Sequence, residues 1–143
     1  MKTRTLLLLA LVCGTAILLA GGLMLFQLTK TEHLADPTAI GQSVDVGDMT
    51  VIVNSAVETN GMLDVSVRIG GVDDDDGSDG FRLIASGRGV QPGGGAEGGF
   101  CGATTIAAVD CLVRFDVTAA DGSSRVLFYE RGDEQARWVI DRP

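Results

Sequence analysis

Beyond Lys30 the sequence contains no lysine. Its remaining basic residues are Arg68, Arg82, Arg88, Arg114, Arg125, Arg131, Arg137 and Arg142, scattered singly among all 19 acids of the chain. Neutralising phosphates requires clustered cations, so the distribution argues against nucleic acid as a partner. Histidine is almost missing. His33, the only one, stands in a polar stretch beside the apolar N-terminal run and reads as a solvated linker residue, since a catalytic base needs a positioned partner. The three cysteines show no Cys-x-x-Cys spacing and no further soft ligands near them, which argues against a zinc or redox motif. No paired-carboxylate motif is visible either. The chain is therefore expected not to be an enzyme, and to carry no catalytic residue, cofactor site or metal site.

Charge is also absent from Thr5 to Phe26, and here the absence is informative. A helix of that length extends roughly 33 Å, enough to cross a ~30 Å hydrocarbon core. Lys2 and Arg4 precede the run, while Glu32 and Asp36 offset Lys30 behind it, so the positive-inside bias predicts a cytoplasmic N-terminus and an extracytoplasmic remainder. Two rival readings exist. A signal peptide cleaved at Ala20-Gly21-Gly22 would have a shorter apolar region and would leave Leu23–Phe26 as a greasy terminus. A lipidated cysteine would need a small residue before it, whereas Cys13 follows Val12 and reads as an ordinary apolar residue. The expected division is a cytoplasmic N-terminus at 1–4, a transmembrane anchor at 5–26, a stalk at 27–40 and an extracytoplasmic domain at 41–143. With 143 residues in all, one core is expected.

Period-two alternation dominates that domain. Apolar residues fall at Val44, Val46, Met49, Val51 and Val53, interrupted by Gly47-Asp48, which marks a turn or bulge. They recur at Leu63, Val65, Val67 and Ile69 after the turn signal Asn60-Gly61, and again at Cys111, Val113, Phe115 and Val117. Shorter candidates are Phe81–Ser86, Arg125–Glu130 and Ala136–Ile140, the last two preceded by turn-forming runs at 121–124 and 131–134. No segment of the domain reads as an amphipathic helix. About seven short strands joined by Gly/Asp-rich turns predict an all-β, immunoglobulin-like antiparallel β-sandwich behind one transmembrane helix. Trp138, the sole tryptophan, alternates with Ala136 and Ile140 and is expected in the core.

The run Gly41–Val53, the Leu63–Ile69 strand, Val126-Leu127-Phe128 and the closing Trp138-Val139-Ile140 together resemble a family of bacterial exported immunoglobulin-like domains of the immunoprotective extracellular type. Such domains are carried on lipoproteins or single-pass anchors. The resemblance spans residues 41–69 and 125–140, and the glycine-rich middle and the anchor in place of a lipobox depart from the pattern. It implies a fold and a location and carries over no catalytic residue.

Cys101 and Cys111 are the only cysteines beyond the apolar run, an even count that predicts a disulfide outside the cytosol. Five carboxylates fall within Asp73–Asp79. An EF-hand started at Asp75 would place Gly77 at its third position and Ser86 at its twelfth, so the run reads as a solvated acidic turn. Gly87–Gly102 holds eight glycines but neither a lysine-serine pair nor a following helix to cradle phosphate, and reads as a mobile surface loop. Loops on a rigid sandwich commonly carry recognition. The expected role is a cell-envelope binding or protein-interaction module, anchored in the membrane by its helix, with a protein partner in the envelope. The alternative is an accessory subunit of a membrane complex, in which Gly14, Gly21 and Gly22 would let the helix approach others.

Overall fold

The computed structural model describes residues 2–30, 36–93 and 98–140. His33, residues 94–97 of the glycine-rich segment and residues 141–143 lie outside them. The chain divides into two compact units, Met1–Leu34 and Ala35–Pro143.

The first unit is α1 (Thr3–Lys30), which contains the expected span and continues through positions 27–30, assigned above to the stalk. Its stretch Thr3–Gln27 is the one helix among the described residues long and apolar enough to cross a membrane, a property that signal anchors and signal peptides share. Thr15 is polar, but its hydroxyl donates back to the carbonyls of Leu11 and Val12 at 3.0 Å, so the helix carries it with its hydrogen bond satisfied.

The second unit is two four-stranded antiparallel sheets. Strands β1 (Ser43–Val46), β2 (Met49–Thr59), β3 (Met62–Gly70) and β6 (Val109–Asp116) form one in the order β1-β2-β3-β6. Strands β4 (Phe81–Ala85), β5 (Arg88–Val90), β7 (Arg125–Arg131) and β8 (Glu134–Val139) form the other in the order β5-β4-β7-β8. Among the described residues four hairpins close with two-residue turns. In Asn60-Gly61 and Ser86-Gly87 both central residues have positive φ, the conformation whose twist matches paired strands. Gly47-Asp48 proves to be a two-residue turn, with positive φ at Gly47 alone, rather than a bulge, and splits the Val44–Val53 run into β1 and β2.

The alternating apolar residues meet between the sheets. Val51, Val53, Val65, Val67 and Phe115 from one sheet pack with Phe81, Leu83, Leu127, Tyr129 and Trp138 from the other, all fully buried. Each large side chain so buried stabilises the fold by about 1.5–3 kcal/mol. The rings of Phe81 and Tyr129 are tilted, with centroids 4.6 Å apart.

A register shift between Val53 and Ser55 changes the phase of β2. Before it Met49, Val51 and Val53 point inward; beyond it Ala56 and Glu58 do. Glu58 thereby reaches Arg125 at the start of β7, whose Nε donates to Oε2 at 3.1 Å. Arg125 is only 2% exposed, and its Nη1 also donates to the carbonyls of Gly122 and Ser124. It fastens one end of the sandwich, a role its place at a strand start concealed in the sequence.

Two expectations change. Residues at the end of the expected stalk are tied to the domain: Thr38 N–H donates to the Arg137 carbonyl, and just beyond the stalk Gly41 N–H donates to that of Val53. The glycine-rich segment, expected as a mobile surface loop, begins with β5 and goes on to cover an edge strand, as described next.

Candidate binding surface

Two connections cross between the sheets at one side of the sandwich. Residues 71–80, with the acidic run, lead from β3 to β4; residues 91–108 lead from β5 to β6. They are hydrogen-bonded to each other. Asp74 and Thr104 exchange main-chain bonds of 3.1 and 2.8 Å, Gly77 N–H donates to the Gly102 carbonyl at 3.0 Å, and Gly71 N–H to that of Thr105 at 3.0 Å. Thr104 is buried between them, its hydroxyl donating to the Val72 carbonyl. The Tyr129 hydroxyl, deep in the core, donates to the Gly77 carbonyl at 3.3 Å.

The acidic run is a turn whose Asp73, Asp75, Asp76 and Asp79 are exposed, and the expectation of a solvated turn is corrected at Asp74. Asp74 Oδ2 accepts from Arg131 Nη1, while Arg131 Nε donates to Asp48 Oδ1 at 2.8 Å, so a single guanidinium joins the β1–β2 turn to the β3–β4 connection. The other oxygen of Asp74 accepts from the Asp76 N–H, and Asp76 in turn accepts from the Ser78 N–H and hydroxyl. The guanidinium hydrogen bond, with the Asp76 N–H behind it, holds the Asp74 carboxyl below the usual carboxylate range. Hydrogen bonds to Asp48 and Asp74 push Arg131 upward. Burial pushes the Tyr129 phenol up to about 12. Among the described residues no three His, Cys, Asp or Glu side chains converge as a metal-binding set.

The glycine-rich segment lies along the outer edge of β6. Gly93 N–H donates to the Arg114 carbonyl at 2.8 Å, Leu112 N–H to that of Gly99 at 2.9 Å, and Cys101 N–H to that of Leu112 at 2.8 Å. Cys101 is disulfide-bonded to Cys111, with Cα atoms 4.9 Å apart, which fastens the segment to the strand it covers. Arg114 sits over the Phe100 ring, 4.8 Å from its centroid, and makes a two-point ion pair with Asp64 on β3. That pair lowers the Asp64 carboxyl.

Between the two connections opens a cleft of about 240 Å³. Asp76, Ser78 and Asp79 line it on one side, Gln91 and Phe100 on the other, and Leu112 forms part of its floor. The arrangement offers hydrogen-bond acceptors beside one aromatic ring. The outer face of the second sheet differs: Ile84, Val126 and Val139 are in register across three strands, with Arg82, Phe128 and Arg137 in the row beside them.

Fold and surface together define an antiparallel two-sheet β-sandwich domain behind an N-terminal apolar helix. No family model matches the chain, and no curated protein matches it. Among solved structures it is similar to MPT63, a secreted protein from Mycobacterium tuberculosis, with a TM-score of 0.54 at 9% identity over 78% of this chain and 100% of that one. At that identity the likeness shows the fold alone.

Proposed function

We propose that the chain is an exported, membrane-anchored β-sandwich whose inter-sheet connections act as a cell-envelope binding or protein-interaction module. The observation that carries this reading is the cleft. Its walls come from connections poor in large apolar side chains, yet they are held in place by the Arg131 ion pairs, by main-chain bonds and by the disulfide. Preorganised walls lower the ordering cost of binding. The secreted neighbour and the basic residues Lys2 and Arg4 before the apolar helix support an N-terminus in the cytoplasm and a sandwich outside. The finer fold class belongs to the same proposal. Taking β2, β3 and β6 as strands A, B and E, with β1 added beside A, and β4, β5, β7 and β8 as C, C′, F and G, the strand order supports an immunoglobulin-like reading. The disulfide sits elsewhere, on β6 rather than between strands B and F.

Photo-crosslinking in intact cells tests the role. A crosslinking residue replacing Gln91, beside the cleft, is expected to capture a discrete envelope protein. Capture from a position in α1 such as Leu18, with none from Gln91, would overturn the module reading in favour of a subunit held through its helix.

A further inference from the structure

Strand β6 ends the first sheet, and an exposed strand edge is a template for pairing with another chain. Here the edge is occupied from within, by Gly93 and by Gly99–Cys101. Side-chain packing on that cover is confined to Phe100, half-buried beneath Arg114, and to Cys101 against the core; a Cβ built on Gly93 or Gly99 would meet nothing within 4 Å. The firm tie is the half-buried Cys101–Cys111 bond.

The edge beneath is self-complementary. Leu112 and Arg114 direct main-chain groups outward to the cover, so the even-numbered residues of β6 carry the free hydrogen-bonding positions. In an antiparallel pair of two copies centred on Leu112, these residues exchange main-chain bonds. Each Asp110 then faces the second copy's Arg114, on the side where Arg68 already pairs with Asp110 and Asp64 with Arg114. Charges would alternate across four strands, from Asp64 to Arg114 to the second copy's Asp110 and its Arg68. Opposite charges directly across neighbouring strands stabilise the pairing, and a twofold axis closes the assembly. On the inner face Cys111 would meet Val113.

We propose that the Cys101–Cys111 disulfide governs a homodimerisation edge: once a dithiol reduces it, the cover at Gly93 and Gly99–Cys101 leaves β6 and a second copy of the chain takes its place. In the reduction a dithiol thiolate attacks one sulfur, forming a mixed disulfide, and the dithiol then departs as its own disulfide. Two electrons and two protons pass to Cys101 and Cys111. The inference goes beyond the binding role above and does not depend on it.

The test uses the full chain in detergent micelles, sized by light scattering with and without dithiothreitol, with Trp138 emission reporting the folded state. A monomer is expected when oxidised and a dimer when reduced, and the Cys101→Ser/Cys111→Ser variant should dimerise without reductant. In that background Arg114→Asp sets acid against acid at both ends of the register and is expected to weaken the dimer at least tenfold. Adding Asp110→Arg, together with Asp64→Arg and Arg68→Asp so that the ion pairs within each copy are kept with their signs exchanged, should restore it. A chain that stays monomeric or unfolds on reduction overturns the proposal. So does a dimer indifferent to the charge substitutions, the result expected if α1 were the associating element.

Discussion

The acidic run and the glycine-rich segment lie side by side, joined at Gly77 and Gly102, yet they are held by different means. The acidic run is fixed by polar partners specific to single residues: Arg131 for Asp74, Ser78 for Asp76, and the Tyr129 hydroxyl for the Gly77 carbonyl. The glycine-rich segment has few side chains to offer and is fixed by main-chain bonds to β6 and one covalent link. A stretch with almost no apolar burial can therefore be ordered either by individual side chains or by a crosslink. The two devices should fail differently.

The largest effect is expected from the crosslink. Replacing both Cys101 and Cys111 with serine should cost about 2–4 kcal/mol, read from urea unfolding of the full chain in micelles at a protein concentration low enough to keep the copies apart. A loss near zero would mean the main-chain bonds alone hold the segment. Tyr129→Phe should cost about 1 kcal/mol by removing the buried bond to Gly77. The same phenol predicts an alkaline limit. Unfolded tyrosine releases its proton near pH 10, whereas in the fold it keeps it to about 12. Between those values the folded state binds more protons, so stability should fall as pH rises from 10 to 12, and Tyr129→Phe should remove that fall.

Smaller effects separate members of the acidic run. Asp74→Asn should lower the melting temperature, while Asp73→Asn and Asp75→Asn should leave it unchanged. The carboxyls of Asp64, Asp74 and Asp116 are all lowered, the last by the hydroxyl and N–H of Thr118. Their contribution should be fully present above pH 4 and be lost as pH falls through their depressed values. Smallest of all, Arg68→Ala breaks an exposed pair with Asp110 and should change stability by about 1 kcal/mol or less.

The strand pattern was legible because period two is a direct consequence of one buried face. Leu63, Val65, Val67 and Ile69 all reach the core, and Asn60-Gly61 makes the turn its φ preference predicts. What escaped were contacts distant in sequence. Nothing near Asp74 reveals that Arg131, 57 residues on, selects it over its neighbours. Arg125 reads as a surface cation until the phase change in β2 turns Glu58 inward to meet it. β5 was hidden because Arg88-Gly89-Val90 is too short to show a period. The cover on β6 uses main-chain groups, which every residue carries and no side-chain pattern reports.

Trp138 has a practical consequence. It is the only tryptophan, it is fully buried, and its indole N–H has no hydrogen-bond acceptor among the described residues. An indole shielded from water emits at shorter wavelength than a solvated one, because no mobile dipoles relax around its excited state. The molecule thus carries its own optical gauge of the β7–β8 hairpin, needing no added dye: opening of the sandwich shifts the emission to the red, while motion confined to distant loops leaves the colour unchanged.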